Sequence, residues 1–438
     1  MLDHNRKTPP RGWNSYDGYI NRVNYNECLE NLEYFIQWLK PAGYDFFVID
    51  SGWYLQENGM PLLDKHGRAL PARNYFPQGF APLIEACHKA GVKFGVHLMR
   101  GIFEEAAIQG CTIAGTDIPC ETIMNRDMQD RCPWRGPLNV IGVDPHQPGA
   151  QAYYDSLFDL YSRQWGIDFF KYDDIQRNRE ELDMVIQAAE KTPRTVTLSL
   201  SPGDYLYQRE NLPFKCYTQA NSMRITHDIW DRQRDIDDIF DAWNHFSAKE
   251  EWRPDYFFFD MDMIPFGKLM LYPPDLGEEL EHMPDRETYQ THLCRYTDAQ
   301  KRTFITQRAM GASLLMVGGR LADYTSYERA LLLNKDMLEC NENAVTGHLV
   351  GQKQNVQIYR TPLRGQGETN GWVAVFNRTS EKLHLDFTRE ELGLGRAVER
   401  YDLYDIWNDR KISAVTSGEN LSLSIEGHDV LFFRYDAT

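Results

Sequence analysis

The sequence predicts an α/β fold: a (β/α)8 TIM barrel over residues 1–344, followed by an antiparallel β-sandwich over residues 345–438. Three observations predict it. A helix–glycine–strand phrase recurs through the first part of the chain. Eight apolar strand segments can be counted there. Near residue 345 the texture changes to short, often alternating segments between polar turns.

The segment RGWNSY supplies the first strand. Next comes LENLEYFIQWLKPAGYDFFVID, in which Leu29, Leu32, Phe35, Ile36 and Leu39 fall at helical spacing. Asn24 and Glu27 stand three apart as a capping pair before it, and Gly43 closes it in a left-handed turn. Phe46, Phe47, Val48 and Ile49 then make a continuously apolar strand, the pattern of a strand buried on both faces. The phrase returns around Gly91 and around Gly166, and GYDFFVID and GIDFFKYD are near copies that place Asp50 and Asp173 at the same point. Repeated helix–strand units imply right-handed crossovers and a parallel sheet. TVTLSLS (195–201), SMRITHDIW (222–230), YFFFDMDMI (256–264) and SLLMVGG (313–319) complete the eight. An open doubly wound sheet is the competing architecture, and it lacks the glycine-rich phosphate loop such folds carry. VQIYRTP, GWVAVFNRT, LHLDF, RYDLYDIW, LSLSIEG and DVLFFRY provide the sandwich strands.

Composition narrows the partners. The chain has 438 residues and a formal net charge of −17, which repels nucleic acid and anionic membranes. MLDHNRKTPPRGWNSY holds no apolar leader and no stretch approaches a bilayer span, so the expectation is a cytoplasmic protein, or a secreted one if a leader has been removed. The eight cysteines form no CxxC pair. Cys111, Cys120 and Cys132 share one polar segment and are expected as free thiols. The sequons at Asn377 and Asn420 are read as chance.

Active sites of (β/α)8 barrels lie at the carboxyl ends of the strands. There the sequence puts a ring of acids: Asp50, Asp173, Asp174, Asp228, Asp260 and Asp262, each after an apolar run. Carboxylates at such positions need a partner or a purpose. Lys171 and Asp173 are two apart on one strand and share the inward face, so the ammonium keeps the carboxylate ionised, as a nucleophile requires. Arg224 and Asp228 lie on and after the sixth strand. Two carboxyls from opposing strands are the minimum for cleaving a glycosidic bond. His97 ends the third strand as a substrate contact. No metal site and no cofactor are expected from the motifs, although a carboxylate-rich barrel keeps a metal-dependent lyase or aldolase as an alternative.

At these residues the sequence resembles glycoside hydrolase family 27, which holds α-galactosidases and α-N-acetylgalactosaminidases. RGWNSY, VIDSGW, FFKYDD, NSMRITHDIWD, FDMDMIPFG and QRAMGASLLMVGGRL carry the resemblance in order, and it continues to YDIW and DVLFFRY. It implies Asp173 as nucleophile and Asp228 as acid/base, with Lys171 on a sugar hydroxyl and Arg224 near O2. It implies Trp13 and Asp262 in the pocket wall, and Asp50 on the O4 and O6 side. The chain departs from the family at Ser51, where a second acid is usual, at His97, where tyrosine is usual, and at Ile175, where a cysteine often follows. On the fifth strand the family's galactosidases carry a glutamate against the 2-hydroxyl; the matching position is Ser201, followed by Pro202 and Gly203.

The expectation is a retaining, exo-acting hydrolase of terminal α-galactosides, working on a small-molecule or oligosaccharide substrate, with Asp173 and Asp228 about 5–6 Å apart. Action on α-N-acetylgalactosaminides, α-glucans or β-L-arabinopyranosides is the alternative within the family, and an inactive sugar-binding barrel the alternative outside it. The sequence leaves a homo-oligomer open.

Overall fold

The computed structural model describes residues 1–126, 132, 140–175, 179–201, 214–270, 290–412 and 414–438. Pro202 and Gly203 lie outside the described residues.

Eight parallel strands form the first sheet: β1 (Arg11–Asn14), β2 (Phe46–Ile49), β3 (Lys93–Met99), β4 (Phe169–Asp173), β5 (Thr197–Ser201), β6 (Ser222–Arg224), β7 (Phe258–Asp260) and β8 (Leu315–Val317). They pair in the order β8-β1-β2-β3-β4-β5-β6-β7. The sheet closes just past β7, where Ile264 bridges Val317 in parallel. There Ile264 N–H donates to Met316 O at 2.8 Å and Gly318 N–H to Ile264 O at 3.0 Å.

The pleat divides the apolar residues into two sets. Phe46, Val48, Phe169, Phe258, Leu314 and Met316 fill the barrel interior. Their alternating neighbours, Phe47, Ile49, Phe170, Tyr172 and Trp13, face the surrounding helices. Gly95 is small because the interior needs a close approach: a Cβ there would stand 2.9 Å from that of Phe169.

The first helix begins as the sequence predicts. Asn24 accepts from Glu27 N–H, and Glu27 accepts from Asn24 N–H. Gly43 closes the segment at φ 86°. Ile36 departs from expectation at 40% exposed. A π-helical turn over Phe35–Leu39 resets the phase of the helix there, so Phe35 and Leu39 stay buried while Ile36 turns outward.

The sixth and seventh strands are shorter than the apolar runs suggest. β6 stops at Arg224, although Ile225 N–H still donates to Asp260 O at 2.8 Å; further along, Ile229 N–H donates to the Asp262 carboxylate at 2.8 Å and Trp230 N–H to Asp235 at 2.8 Å, so the rest of the apolar run is held by side chains. β7 stops at Asp260, and Asp262 beyond it is in the left-handed region at φ 70°.

The second unit comprises β9 (His348–Lys353), β10 (Val356–Pro362), β11 (Asn370–Asn377), β12 (Leu383–Phe387), β13 (Arg400–Asp405), β14 (Leu421–Ile425) and β15 (Val430–Ala437). The order β9-β10-β11-β15-β13 makes one antiparallel sheet, and β12 pairs with β14 in another. Val356, Ile358, Val373, Val375, Leu385, Phe387 and Phe433 fill the space between them. β9 is not apparent in the sequence. It is an edge strand with a register shift between Leu349 and Gly351, which breaks the alternation that marks the others.

The outer face of the larger sheet is apolar too, and it meets the barrel. Tyr359, Trp372, Phe376 and Phe432 belong to the same continuous cluster as the barrel residues. Trp243 stacks on Tyr359 with centroids 4.0 Å apart, and its indole N–H donates to Gly347 O at 2.8 Å. Arg302 grips Asp429 with two nitrogens, at 2.9 and 2.5 Å. Asn377 of the first sequon is buried, its amide donating to Glu381 O, Ile425 O and Glu426 O. Cys111 and Cys120 are thiols that donate to Asp64 O and His66 O. Among the described residues no helix is long and apolar enough to cross a membrane.

Because one apolar cluster spans both units, they should unfold together. Trp243→Ala removes the stacked ring and should cost about 3–5 kcal/mol, in line with large-to-small core changes. Scanning calorimetry should show a lower midpoint with a single transition; two separated transitions would contradict the shared core.

Candidate active site

The carboxyl ends of the strands bring most of the predicted residues together. Asp50, just past β2, is 1% exposed. Its Oδ2 accepts from Lys171 Nζ at 2.9 Å and from Asn14 Nδ2 at 2.7 Å, and its Oδ1 from Ser51 N–H at 2.8 Å. Burial pushes this carboxyl up, but Lys171, His97 and the two amides outweigh it and hold it well below the usual range. Lys171 is buried as well, a condition that favours the neutral amine. Asp50 and Asp173 reverse that and hold its proton tightly.

Asp173 ends β4 with 14% of its side chain exposed, and His97 Nε2 from the neighbouring β3 stands 3.2 Å from its Oδ2. Burial opposes its ionisation, but the His97 contact, then Lys171 and Arg224, lower it below the ordinary carboxyl range. Asp228 sits in the loop after β6. Arg224 Nη1 reaches its Oδ1 at 2.8 Å and Asp262 Oδ1 at 3.4 Å, so one guanidinium spans two acids. The Asp228 side chain is 49% exposed, towards the cleft. Its carboxyl is shifted the other way, upward, by the protein around it and by Asp262 and Asp173, against the pull of Arg224. Asp260 is raised to about 6 by burial and by Asp262. Ser201 is the register partner of Asp173, is 2% exposed, and its Oγ has no hydrogen-bond partner.

Two expectations fail on geometry. Trp13 does not reach the site. The pleat points it outward, where it is fully buried, stacked on Phe47 at 4.5 Å and bonded through its indole N–H to Gly319 O at 2.9 Å. Tyr16 takes that place at the mouth, with Lys171 Nζ 5.6 Å from its ring centroid. Asp174 also leaves the ring. At φ 56° it turns its carboxylate away, to Arg100 Nη2 at 3.3 Å. Arg100 Nη1 meets Glu181 at 2.8 Å, and Glu181 takes a hydrogen bond from Tyr154 Oη and one from Val143 N–H. This buried cluster behind the Asp173 strand escapes sequence reasoning, because its members are far apart in the chain.

Among the described residues one group has a metal-like arrangement: His227, Asp235 and Asp238. Asp235 already accepts from Trp230 N–H and from Arg232 Nε at 2.8 Å, with Arg234 at 3.6 Å. Two guanidiniums beside it disfavour a cation, so the group reads as the ion-pair cluster that fastens the Asp228 loop to the helix Gln233–Ser247.

Comparison with known proteins follows the same lines. Residues 353–435 match the α-galactosidase C-terminal β-sandwich domain. The chain is 22% identical to an α-galactosidase of Cyamopsis tetragonoloba, covering 96% of this chain and 84% of that one. It is 21% identical to an α-N-acetylgalactosaminidase of Gallus gallus, covering 98% and 93%. A family 27 β-L-arabinopyranosidase of Geobacillus stearothermophilus superposes with a TM-score of 0.85 at 29% identity, covering 100% of this chain and 99% of that one. Together these comparisons support a melibiase-like glycoside hydrolase of family 27.

Against the family 27 pattern, Asp50, Asp173, Asp228 and Asp262 keep their acids, Ser201 stands where the galactosidases carry glutamate, and the second acid beside Asp50 is replaced by Ser51. That residue is 6% exposed and uses its N–H to orient Asp50. Ile175, where other family 27 chains often have cysteine, is fully buried in the core.

The cluster behind β4 should carry stability. Arg100→Ala strands Asp174 and Glu181 without their buried cation and should cost about 3–5 kcal/mol in urea unfolding. A change within about 0.5 kcal/mol would show that the cluster is dispensable.

Proposed function

We propose that this family 27 enzyme is a retaining, exo-acting α-glycosidase, with Asp173 as nucleophile and Asp228 as general acid/base. The observation that carries the reading is the opposite displacement of the two carboxyls. Asp173 is held ionised by His97, Lys171 and Arg224, whereas Asp228, half-exposed at the cleft, is pushed towards its protonated form by the protein that displaces solvent around it and by Asp262 and Asp173. Two neighbouring acids pushed apart in this way are suited to different roles.

The Asp173 carboxylate attacks the anomeric carbon as the bond to the leaving oxygen breaks, and Asp228 gives that oxygen its proton. Water then attacks the same carbon from the freed side, Asp228 takes a proton from it, and Asp173 departs as carboxylate. Two inversions retain the configuration. Lys171, Asp50 and Asp262 grip sugar hydroxyls, and no metal is required by these steps.

Terminal α-galactosides are the first substrate class, in keeping with the C. tetragonoloba relative. β-L-Arabinopyranosides are the second, favoured by the higher identity to the G. stearothermophilus enzyme. The two sugars share ring stereochemistry and differ by the carbon at C6. Ser201, small and unpartnered beside Asp173, leaves room at C2 and supports action on α-N-acetylgalactosaminides as well.

Proton NMR of the first-formed sugar should show the anomer of the substrate; the opposite anomer overturns double displacement. Asp173→Asn should abolish turnover, and Asp228→Asn should be most damaging with poor leaving groups. Since the reaction needs Asp173 ionised and Asp228 protonated, kcat/KM should rise with pH as the first loses its proton and fall as the second does.

Ser201→Glu should return a charged partner for a 2-hydroxyl and fill the space beside C2. The ratio of kcat/KM for aryl α-galactoside over aryl α-N-acetylgalactosaminide should rise about tenfold or more, the worth of one charged hydrogen bond. An unchanged ratio would mean that residue 201 does not face C2.

A further inference from the structure

Each strand from β1 to β7 carries a polar side chain of the site at or near its carboxyl end, from Asn14 on β1 through His97 on β3 round to Asp262 after β7. β8 breaks the pattern. Along it Leu314 and Met316 point into the barrel, so the next inward position is Gly318, which has no side chain. The space is filled from elsewhere. Asp17, on the one-turn helix Tyr16–Tyr19 after β1, lays its carboxyl there. A Cβ built on Gly318 would stand 1.9 Å from Asp17 Oδ2. Asp17 thus occupies the gap in the ring, between Asp262 on one side and the Asn14–Asp50 pair on the other.

Its chemical state is unlike that of a structural acid. Asp17 is 1% exposed, yet its Oδ2 has no hydrogen-bond partner. That exposure equals that of Asp50 and is close to the 3% of Asp262, so enclosure is the common condition of this ring. An enclosed polar oxygen without a partner costs about 1–3 kcal/mol unless something arrives to satisfy it. The charges that act on it are Asp262, Lys171, Asp50 and Asp228, all from the site, with Arg308 behind.

We propose that Asp17 is a further substrate-binding residue of this glycosidase, its carboxyl hydrogen-bonding one hydroxyl of the terminal sugar. The inference rests on the glycosidase reading above. Burial, followed by Asp262, moves the carboxyl well above its ordinary range, towards its protonated form. A protonated carboxyl both donates and accepts, which suits a hydroxyl. A glycine at 318 is then what the arrangement requires, since any side chain there would expel the acid.

The test compares wild type with Asp17→Leu and Asp17→Ala on aryl α-galactoside, its 2-, 3- and 4-deoxy analogues, and aryl β-L-arabinopyranoside, which lacks C6. The parent sugar should lose about tenfold in kcat/KM in both variants, the size of one hydrogen bond lost with its partner stranded. The one analogue missing the partnered hydroxyl should lose almost nothing further, and Asp17→Asn should restore most of the parent activity. Equal losses on every sugar, or no loss on the parent, overturn the proposal. So does failure of both apolar variants to fold while Asp17→Asn folds, which would make the role structural. A wild type inert on every parent glycoside sinks the glycosidase reading and this proposal with it, whereas an active wild type with uniform losses sinks this proposal alone.

Discussion

An ammonium buried beside two carboxylates, Lys171 with Asp50 and Asp173, is what the mouth of the barrel is organised to hold. Neither sign of charge is tolerable alone in so enclosed a place. Lys171 keeps its proton only because the two acids are there, and Asp50 stays ionised largely because Lys171 is. The strands must therefore deliver these groups in fixed register. β3 and β4 pair His97 with Lys171 and Met99 with Asp173, and β2 brings Asp50 to within 2.9 Å of the ammonium. The apolar floor of Phe46, Val48, Phe169 and Met316 serves the same end, since it excludes water from below and strengthens every contact above it.

A second cation repeats the device with less rigidity. Arg224 leaves β6 and spans Asp228 and Asp262, while the amide of Ile229 is taken by Asp262 and that of Trp230 by Asp235. The loop bearing Asp228 is thus fixed by side chains and not by the sheet. The outcome is an asymmetric pair: one acid enclosed on a strand, the other half-exposed on a loop. In the proposed double displacement, an acid that must meet first a leaving group and then water is served by that exposure, and a nucleophile is served by enclosure.

The barrel was legible because its strands are buried on both faces. Phe46–Ile49 and Phe169–Asp173 read as apolar runs ending in an acid, and burial on both sides leaves few other readings. The site was legible as far as each residue lay on a strand end. It was illegible where direction mattered. Trp13 and Tyr16 are both aromatics of one motif, and only the pleat says that the first points outward. Asp174 looks like a member of the ring until its left-handed backbone turns it to Arg100. Asp17 follows no apolar run at all, and only folding brings it against Gly318. The edge strand His348–Lys353 stayed hidden for a different reason, since a bulge erases the period by which strands are recognised.

Charge counting explains why the ring needs acids of unlike character. Six carboxyls gather at the mouth: Asp17, Asp50, Asp173, Asp228, Asp260 and Asp262. Against them stand Lys171, Arg224 and the buried Arg308, with His97 at the edge. Three firm cations cannot hold six carboxylates ionised in an enclosed space, so some acids must keep protons. The structure divides them by proximity to the cations. Asp50 and Asp173, near Lys171, fall below their ordinary range, while Asp17 and Asp260, with Asp262 as the charge that presses on each, rise above it. Asp228 rises as well, pushed up by the protein around it and by Asp262 and Asp173 against the pull of Arg224. An acid raised in this way fits the proton-donating role proposed for Asp228, and the surplus of carboxyls is the physical means by which it is raised.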